Sequence, residues 1–339
     1  MIVTETKWRY INRDKWDELI TKSGNSSIYN TWGWIQTITE AYDNEIIVII
    51  EEKENAYHSV LPLALTSTPF IGKRYISFPF SDHFPIIFSP SSNYKLVIDY
   101  VLNNLNKSIQ IRDEIKDIEK MFVGFYHTLN LSNNPEVVFQ RFNKKQIQQR
   151  IRNLDYQKLT IESGTTEYFT SNLYSLLLSS RTRLNSFLPS KKYFRSLYNN
   201  LLKQNNGYIS LVKFEEKIIA GGLFLKHNKT IYFKHGASLN KYWGQHPNHF
   251  LIWEMIKRSC DAHYEYFDFG RTGLGNEGLR KFKLNWGSEE KELFYSLING
   301  PSSEQINKAI KMRKYMSLAG KYFPGYSRLF NHKFYKYFP

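Results

Sequence analysis

The stretch from Tyr208 to Gly270, YISLVKFEEKIIAGGLFLKHNKTIYFKHGASLNKYWGQHPNHFLIWEMIKRSCDAHYEYFDFG, decides the architecture. Apolar and β-branched residues run from Tyr208 to Phe214, from Ile218 to Lys226 and from Thr230 to His235, separated by Glu215 to Lys217 and by His227 to Lys229. This is the pattern of three strands joined by tight turns. Apolar residues then recur at helical spacing from about Asn248 to Ala262, with Pro247 ahead to set the backbone and Asn248 placed to cap the free N–H groups. The run EYFDF, Glu265 to Phe269, closes the unit as a strand. Strands flanking a helix in this order define an α/β fold with mixed sheets.

Working outward, the first half repeats the grammar. A helix is expected over Trp34 to Ala41, strands over Glu45 to Glu52 and Tyr57 to Leu65 with KENA turning between them, and two more β-rich runs, RYISFPF and FPIIFS, on either side of Ser81, Asp82 and His83. A helix follows from about Tyr94 to Ser108, and then the strand FVGFYHTL. Both halves place EEK after an apolar strand, at Glu51 to Lys53 and Glu215 to Lys217, which suggests one α/β unit used twice. The chain of 339 residues divides on this reading into residues 1–145, residues 146–300 and a tail, 301–339. The basic stretch Arg141 to Lys158 is the expected junction.

Composition narrows the partners. The 46 Lys and Arg against 31 Asp and Glu leave a formal charge of +15, so the surface seeks anions: nucleic acid, phosphorylated donors or lipid headgroups. The single cysteine, Cys260, excludes an intrachain disulfide framework and a cysteine-based structural zinc site. Glu5 and Lys7 stand where a signal peptide would need an apolar core, and the longest purely apolar run is Ile46 to Ile50. A cytoplasmic protein is expected, with any membrane contact peripheral at the inner leaflet. The tail supports that contact, because Lys308, Lys311, Arg313, Lys314, Lys321, Arg328, Lys333 and Lys336 alternate with Tyr and Phe from Gln305 onward.

Known catalytic and metal motifs are missing. The sequence has no HExxH, no Cys/His zinc spacing, no GxSxG elbow and no Walker loop, so no metal is expected. His246 and His249 lack a third ligand nearby, and GRTGLG after the strand EYFDF has the wrong spacing for a dinucleotide loop.

HGAS at a strand end, PNHFLIWE at a helix start, FDFG and GLRKFKLNWG follow one another in the second half, with RIRNLDYQKL and SSRTRLNSFLPSKKYF upstream. In this order they resemble the FemAB-like and BioF2-like acyltransferases of the GNAT superfamily. NTWGWIQTITEAY and SFPFSDHF extend a fainter resemblance into the first half. The resemblance implies two tandem GNAT-like domains and transfer of an acyl or aminoacyl group from an activated donor to a primary amine. The donor would be aminoacyl-tRNA or acyl-CoA, with no permanently bound cofactor. The acceptor would be an amine of a cell-envelope, polysaccharide or peptide precursor.

Family members carry a Phe-Lys pair that matches Phe282 and Lys283, whose ammonium is expected beside the oxyanion or the donor phosphates. His235, Lys241, Gly244, Asn248 and Arg271 are the expected donor side, and Asp82, His83, Arg181 and Arg183 the acceptor side. His83 or Asp82 is suited to relaying the amine proton. KYWGQH, Lys241 to His246, departs from the glycine-rich loop with which acetyl-CoA-dependent relatives cradle pyrophosphate. Two other readings share these features: an acetyl-CoA-dependent N-acetyltransferase on an amino sugar, and a non-catalytic protein that binds nucleic acid or anionic membrane.

Overall fold

A computed structural model of the chain describes residues 2–68, 71–184, 186, 188–301 and scattered positions up to 312. The basic, aromatic tail and its expected lipid contact therefore lie outside the described residues. The chain forms two compact units, one made of residues 1–122 with 294–339 and the other of residues 123–293.

The first unit contains β1 (Ile2–Lys7), α1 (Arg13–Lys22), α2 (Trp32–Tyr42), β2 (Ile46–Lys53), β3 (Ala56–Thr68), β4 (Gly72–Ser77), the short β5 (Ile87–Phe88), α3 (Lys95–Asn104) and β6 (Ile109–Ile111). Strand β7 (Glu119–Asn130) passes into the second unit after Phe122. The second unit continues with α4 (Pro135–Phe139), α5 (Gln149–Arg152), β8 (Leu159–Gly164), α6 (Glu167–Arg183), α7 (Lys191–Leu197), β9 (Gly207–Phe214), β10 (Lys217–His227) and β11 (Thr230–Ser238). It ends with α8 (Pro247–Asp261), β12 (Tyr266–Gly273), α9 (Glu277–Asn285) and the first half of β13 (Glu289–Ile298), which returns to the first unit from Phe294.

Each unit uses the same strand order. In the first, β1, β2, β3 and β4 are successive antiparallel neighbours, β6 joins β4 in parallel, and β13 pairs antiparallel with β6. In the second, β8, β9, β10 and β11 are antiparallel, β12 joins β11 in parallel, and β7 pairs antiparallel with β12. The last strand of each sheet thus comes from outside the stretch that encodes the other five. This is why residues 123–145, expected in the first domain, pack in the second unit: β7 is the partner that the parallel strand β12 requires.

Local chemistry accounts for the elements. Strand β2 (IIVIIEEK) is buried along its first six residues, and the first five are the continuous apolar run of a strand covered on both faces. Its turn to β3 is the pair Glu54–Asn55, with φ of 51° and 62°; β9 turns to β10 at Glu215–Glu216, with φ of 48° and 65°. Two successive left-handed residues match the right-handed twist of a hairpin. The two EEK strings are consequently not equivalent, since Glu51 to Lys53 lies within β2 whereas Glu215 and Glu216 form a turn. RYISFPF leaves the sheet after Ser77, and only Ile87 and Phe88 of FPIIFS pair, so the loop between them is longer than its composition suggests. The expected junction helix is also corrected. Lys144–Gln148 forms a π turn, α5 is one turn long, and Ile147 and Ile151 belong to the second unit's apolar core. The buried Gln148 amide ties this segment down by donating to the carbonyls of Phe139 and Phe142 at 3.2 and 2.9 Å.

Helices cover both faces of the second sheet. A Cβ on Gly221 would meet Leu176 of α6, and one on the adjacent Gly222 would meet Leu251 of α8, so successive strand residues face opposite layers. Among the described residues no helix is long and apolar enough to cross a membrane. Where β7 meets β12, Gly124 has a φ of 131° and a Cβ there would fall on the Thr272 carbonyl oxygen. Replacing Gly124 by Ala is expected to destabilise the protein by about 3 kcal/mol, through backbone strain and forced separation of the strands, as read from urea unfolding.

Candidate active site

The parallel pair β11 and β12 parts soon after it forms. Strands β11 and β12 pair at Thr230↔Tyr266, Ile231↔Phe267 and Tyr232↔Asp268, after which β11 continues to Ser238 and β12 to Gly273 without further pairing to each other. A cleft between diverging parallel strands carries main-chain N–H and C=O groups that have no partner in that ladder. Helix α8 follows the β11 end through a 3-10 turn, Asn240–Gln245. Ligands in parallel α/β arrangements bind at this end of the strands.

Lys283 stands at the β12 wall. Helix α9 starts on Asn276, whose side chain accepts from Leu279 N, and its inner face carries Lys283, only 5% exposed. The Nζ group donates to Gly270 O at 2.8 Å and to Arg271 O at 3.0 Å. Carbonyls of successive strand residues normally leave on opposite sides. Here Gly270 has a φ of 68°, at a bulge between Asp268 and Gly270, and both carbonyls reach one ammonium. The Asp268 carboxylate secures the bulge by accepting from Gly270 N at 2.5 Å and from the Tyr126 hydroxyl. Phe282, half-buried, packs its ring 5.9 Å from His249 and 6.2 Å from Trp286.

His127 was not singled out in the sequence and lies beside this group. It occupies the β7 position directly opposite Gly270, is 0% exposed, and neither ring nitrogen has a hydrogen-bond partner. Its Nε2 lies 3.7 Å from Glu290, which Arg280 grips with two hydrogen bonds of 2.8 and 2.7 Å. Arg280 in turn lies 3.7 Å over the Phe125 ring. Burial, and then the Lys283 charge, push His127 down to about 4, so the imidazole is neutral at physiological pH. Thr272 Oγ1 and Trp286 Nε1 are further buried polar atoms without a partner in this unit. The signal for His127 in the sequence was a lone histidine in the otherwise strand-like FVGFYHTL.

The remaining donor-side residues fall into place differently. His235 is buried, and its Nε2 and the Tyr193 hydroxyl are hydrogen-bonded at 3.1 Å, so its ring packs against α7. Lys241 is exposed with its ammonium 5.0 Å from the neighbouring Tyr242 ring, and Gly244 is exposed with space for a Cβ. Asn248 is not the cap of α8. The helix starts at Pro247, and the cap position is held by His246, whose φ of 50° ends the 3-10 turn and redirects the chain. Arg271 contributes its carbonyl to Lys283. Of the acceptor-side residues, Arg183 meets the β11–α8 loop, its guanidinium 4.8 Å over the Trp243 ring, while Arg181 donates to Ser186 Oγ at 3.4 Å. Asp82 and His83 belong to the first unit. Asp82 accepts from the Tyr29 hydroxyl at 3.0 Å and, through its main-chain oxygen, from the Tyr295 hydroxyl at 2.7 Å; His83 Nε2 lies 3.0 Å from Asp113 Oδ1.

Comparison with known proteins finds a family likeness in one segment. Residues 141–284, which contain Phe282 and Lys283, match the acetyltransferase (GNAT) domain family. That match covers less than half of the chain. The chain is 28% identical over 148 residues to the Lipid II:glycine glycyltransferase of Staphylococcus epidermidis, a match that covers 39% of this chain. The match spans only 36% of that relative's length. Among solved structures, FemX superposes with a TM-score of 0.67 at 14% identity, covering 88% of this chain and 98% of FemX. The C-terminal domain of a putative lysylphosphatidylglycerol synthetase from Agrobacterium fabrum gives 0.57 at 11% identity, over 89% of this chain and 97% of that domain. These superpositions show the shared fold.

Burial lowers His127, His227 and His249 to about 4 each, with Lys283 adding to the effect at His127 and Arg150 at His249. An unfolded histidine titrates near 6.5, so between that value and about 4 the unfolded chain takes up protons that the folded chain refuses. Stability from these residues is complete above about pH 6.5 and is lost as pH falls toward about 4. Urea midpoints measured across that window are expected to decline, and His127→Leu to make the decline shallower.

Proposed function

We propose that this chain is an N-acyltransferase that moves an aminoacyl group from aminoacyl-tRNA to a primary amine of a cell-envelope precursor. The observation that carries the reading is the buried Lys283 ammonium on the β12 wall where β11 and β12 part, within the segment that matches the GNAT family. A fixed positive charge in a site shielded from water favours the oxyanion that develops as the amine adds to the donor carbonyl. The new bond joins amine nitrogen to carbonyl carbon, the ester bond to the donor breaks, and the amine gives up a proton. The proton that the amine gives up ends on the released donor hydroxyl, and His127, held neutral by burial and by the Lys283 charge, leaves that ammonium as the positive charge facing the oxyanion. Phe282 walls the site with the His249 and Trp286 rings.

Two features support tRNA over CoA. The β11–α8 loop is a 3-10 turn whose Trp243 ring is covered by Arg183 of α6, with no glycine-lined cradle for pyrophosphate. The chain's excess of basic residues favours a polyanionic donor. Asp82 and His83, each held by a hydrogen-bond partner, remain the proposed contacts to the amine acceptor.

The test charges total tRNA with labelled amino acids and supplies a lipid-linked or nucleotide-linked muropeptide as acceptor, with labelled acetyl-CoA in parallel. Label is expected on the acceptor from tRNA only, and ribonuclease should abolish it. Transfer from acetyl-CoA that resists ribonuclease overturns the tRNA donor; no transfer from either overturns the acyltransferase reading. Lys283→Met is expected to lower turnover at least about 100-fold while the circular dichroism spectrum is retained, since the charge goes and the fold's strands remain.

A further inference from the structure

A cleft of about 610 Å³ opens between α6 and α7 in the second unit. Helix α6 turns Leu173, Leu176 and Leu177 inward, and α7 buries Tyr193, Phe194 and Leu197. The π turn Tyr198–Leu202 continues α7. One wall of the cleft runs from Glu167 to Ser175 and the other from Lys191 to Asn199, each on residues at the i, i+3, i+4, i+7 and i+8 spacing of a single helix face. The Tyr174 ring meets Phe194 edge to face at 5.5 Å and has the Lys191 ammonium 5.7 Å away. The start of α7 thus stands beside the middle of α6, and its continuation runs back toward Glu167.

This layer is basic. Every charged residue from Tyr168 to Phe214 is Lys or Arg. Lys191 and Arg195 stand one turn apart on the cleft wall, both exposed to solvent. Like charges at that spacing repel, and among the described residues neither has a carboxylate within ion-pair distance. Glu167, the acidic residue of the lining, lies at the far end, at the first residue of α6. Rings share the wall with these cations. Phe194 is buried beneath the cleft, while Tyr174 and Tyr198 are half-buried along it. The Lys203 ammonium lies 5.0 Å from the Tyr198 ring and adds positive charge at that end.

We propose that the α6–α7 cleft binds a nucleoside phosphate, with the phosphate on Lys191 and Arg195 and the base against the tyrosine rings. The combination decides the class. An oxyanion alone needs only the cations and an apolar ligand only the rings, whereas a base joined to a phosphate uses both. Arg195 brings a fork of N–H donors that matches phosphate oxygens, and Lys191 a compact second charge. The volume falls within the range of about 300 to 1,000 Å³ usual for small-molecule sites. Glu167 and Asn199 leave an acceptor and an amide for the sugar hydroxyls or the base edge. Lys283 takes no part, so the site stands or falls separately from the acyl-transfer reading. Its ligand is either a free nucleotide or an unpaired nucleotide of an RNA strand.

The experiment titrates the full chain, at constant ionic strength, with adenosine monophosphate, with ribose phosphate and with pentaadenylate RNA. Calorimetry gives the affinities and saturation-transfer NMR shows which ligand protons touch the protein. Stacking tolerates any base, so adenine serves as the probe. Saturable binding of adenosine monophosphate is expected, with transfer to its base protons, and ribose phosphate should bind at least about tenfold more weakly because it lacks the ring. Arg195→Gln should weaken adenosine monophosphate at least about tenfold and Lys191→Gln about fivefold. Tyr174→Leu should weaken it about fivefold. Pentaadenylate that binds more tightly than adenosine monophosphate, and loses that binding in Arg195→Gln, supports an RNA strand; adenosine monophosphate binding at least as tightly supports a free nucleotide. Equal affinity for ribose phosphate, an unchanged affinity in Arg195→Gln, or no saturable binding of either adenine probe overturns the site. Should Arg195→Gln fail to fold, unchanged affinity in Lys191→Gln overturns it equally.

Discussion

One ammonium group and two carbonyls organise the second unit. Lys283 reaches Gly270 O and Arg271 O only because Gly270 takes a backbone conformation that other residues adopt at a cost. The contact compensates a buried charge and anchors the irregular end of β12. Burial first, and the Lys283 charge second, keep His127 unprotonated. Structure and chemistry at this point are inseparable: the lysine is part of the wall before it can be part of a reaction.

Aromatic packing carries the arrangement outward. Phe142 and Trp286 meet edge to face at 5.2 Å, His249 stacks on Trp286 at 5.9 Å, and Phe142 also meets Trp253 of α8 edge to face. Such ring contacts add directional preference to apolar burial. They link α9, which bears Lys283, to the start of α8 and to the segment before α5, so three short elements share one rigid support. The π turn at Lys144–Gln148 belongs to this support and not to a solvated connector.

Much of the fold was legible because alternation and helical spacing are local. The strands β9, β10 and β11 and helix α8 fell within a residue or a few of their expected limits, since their apolar patterns end at turn residues. What local pattern could not supply was partnership across the chain. Nothing in FVGFYHTL says that it pairs with FDFG, and so neither the place of β7 nor the role of His127 was visible. Phe282 and Lys283 stood out through resemblance, but the carbonyls that receive the ammonium depend on a left-handed glycine and a bulge, neither of which has a side-chain signature. Asn248 had the right chemistry for a cap and lost the position to the His246 turn, because Pro247 is itself suited to the first helical residue.

The exchange of final strands also governs how the protein can be made. The first sheet is completed by Phe294 to Ile298, residues synthesised after the whole of the second unit. In vectorial folding, where an amino-terminal domain matures while the ribosome is still at work, this sheet stays one strand short until the second unit has been made. The early strands must wait with β6 lacking its β13 neighbour until translation has passed residue 298. A gene cut between the halves would yield two fragments, each missing a border strand that the other encodes.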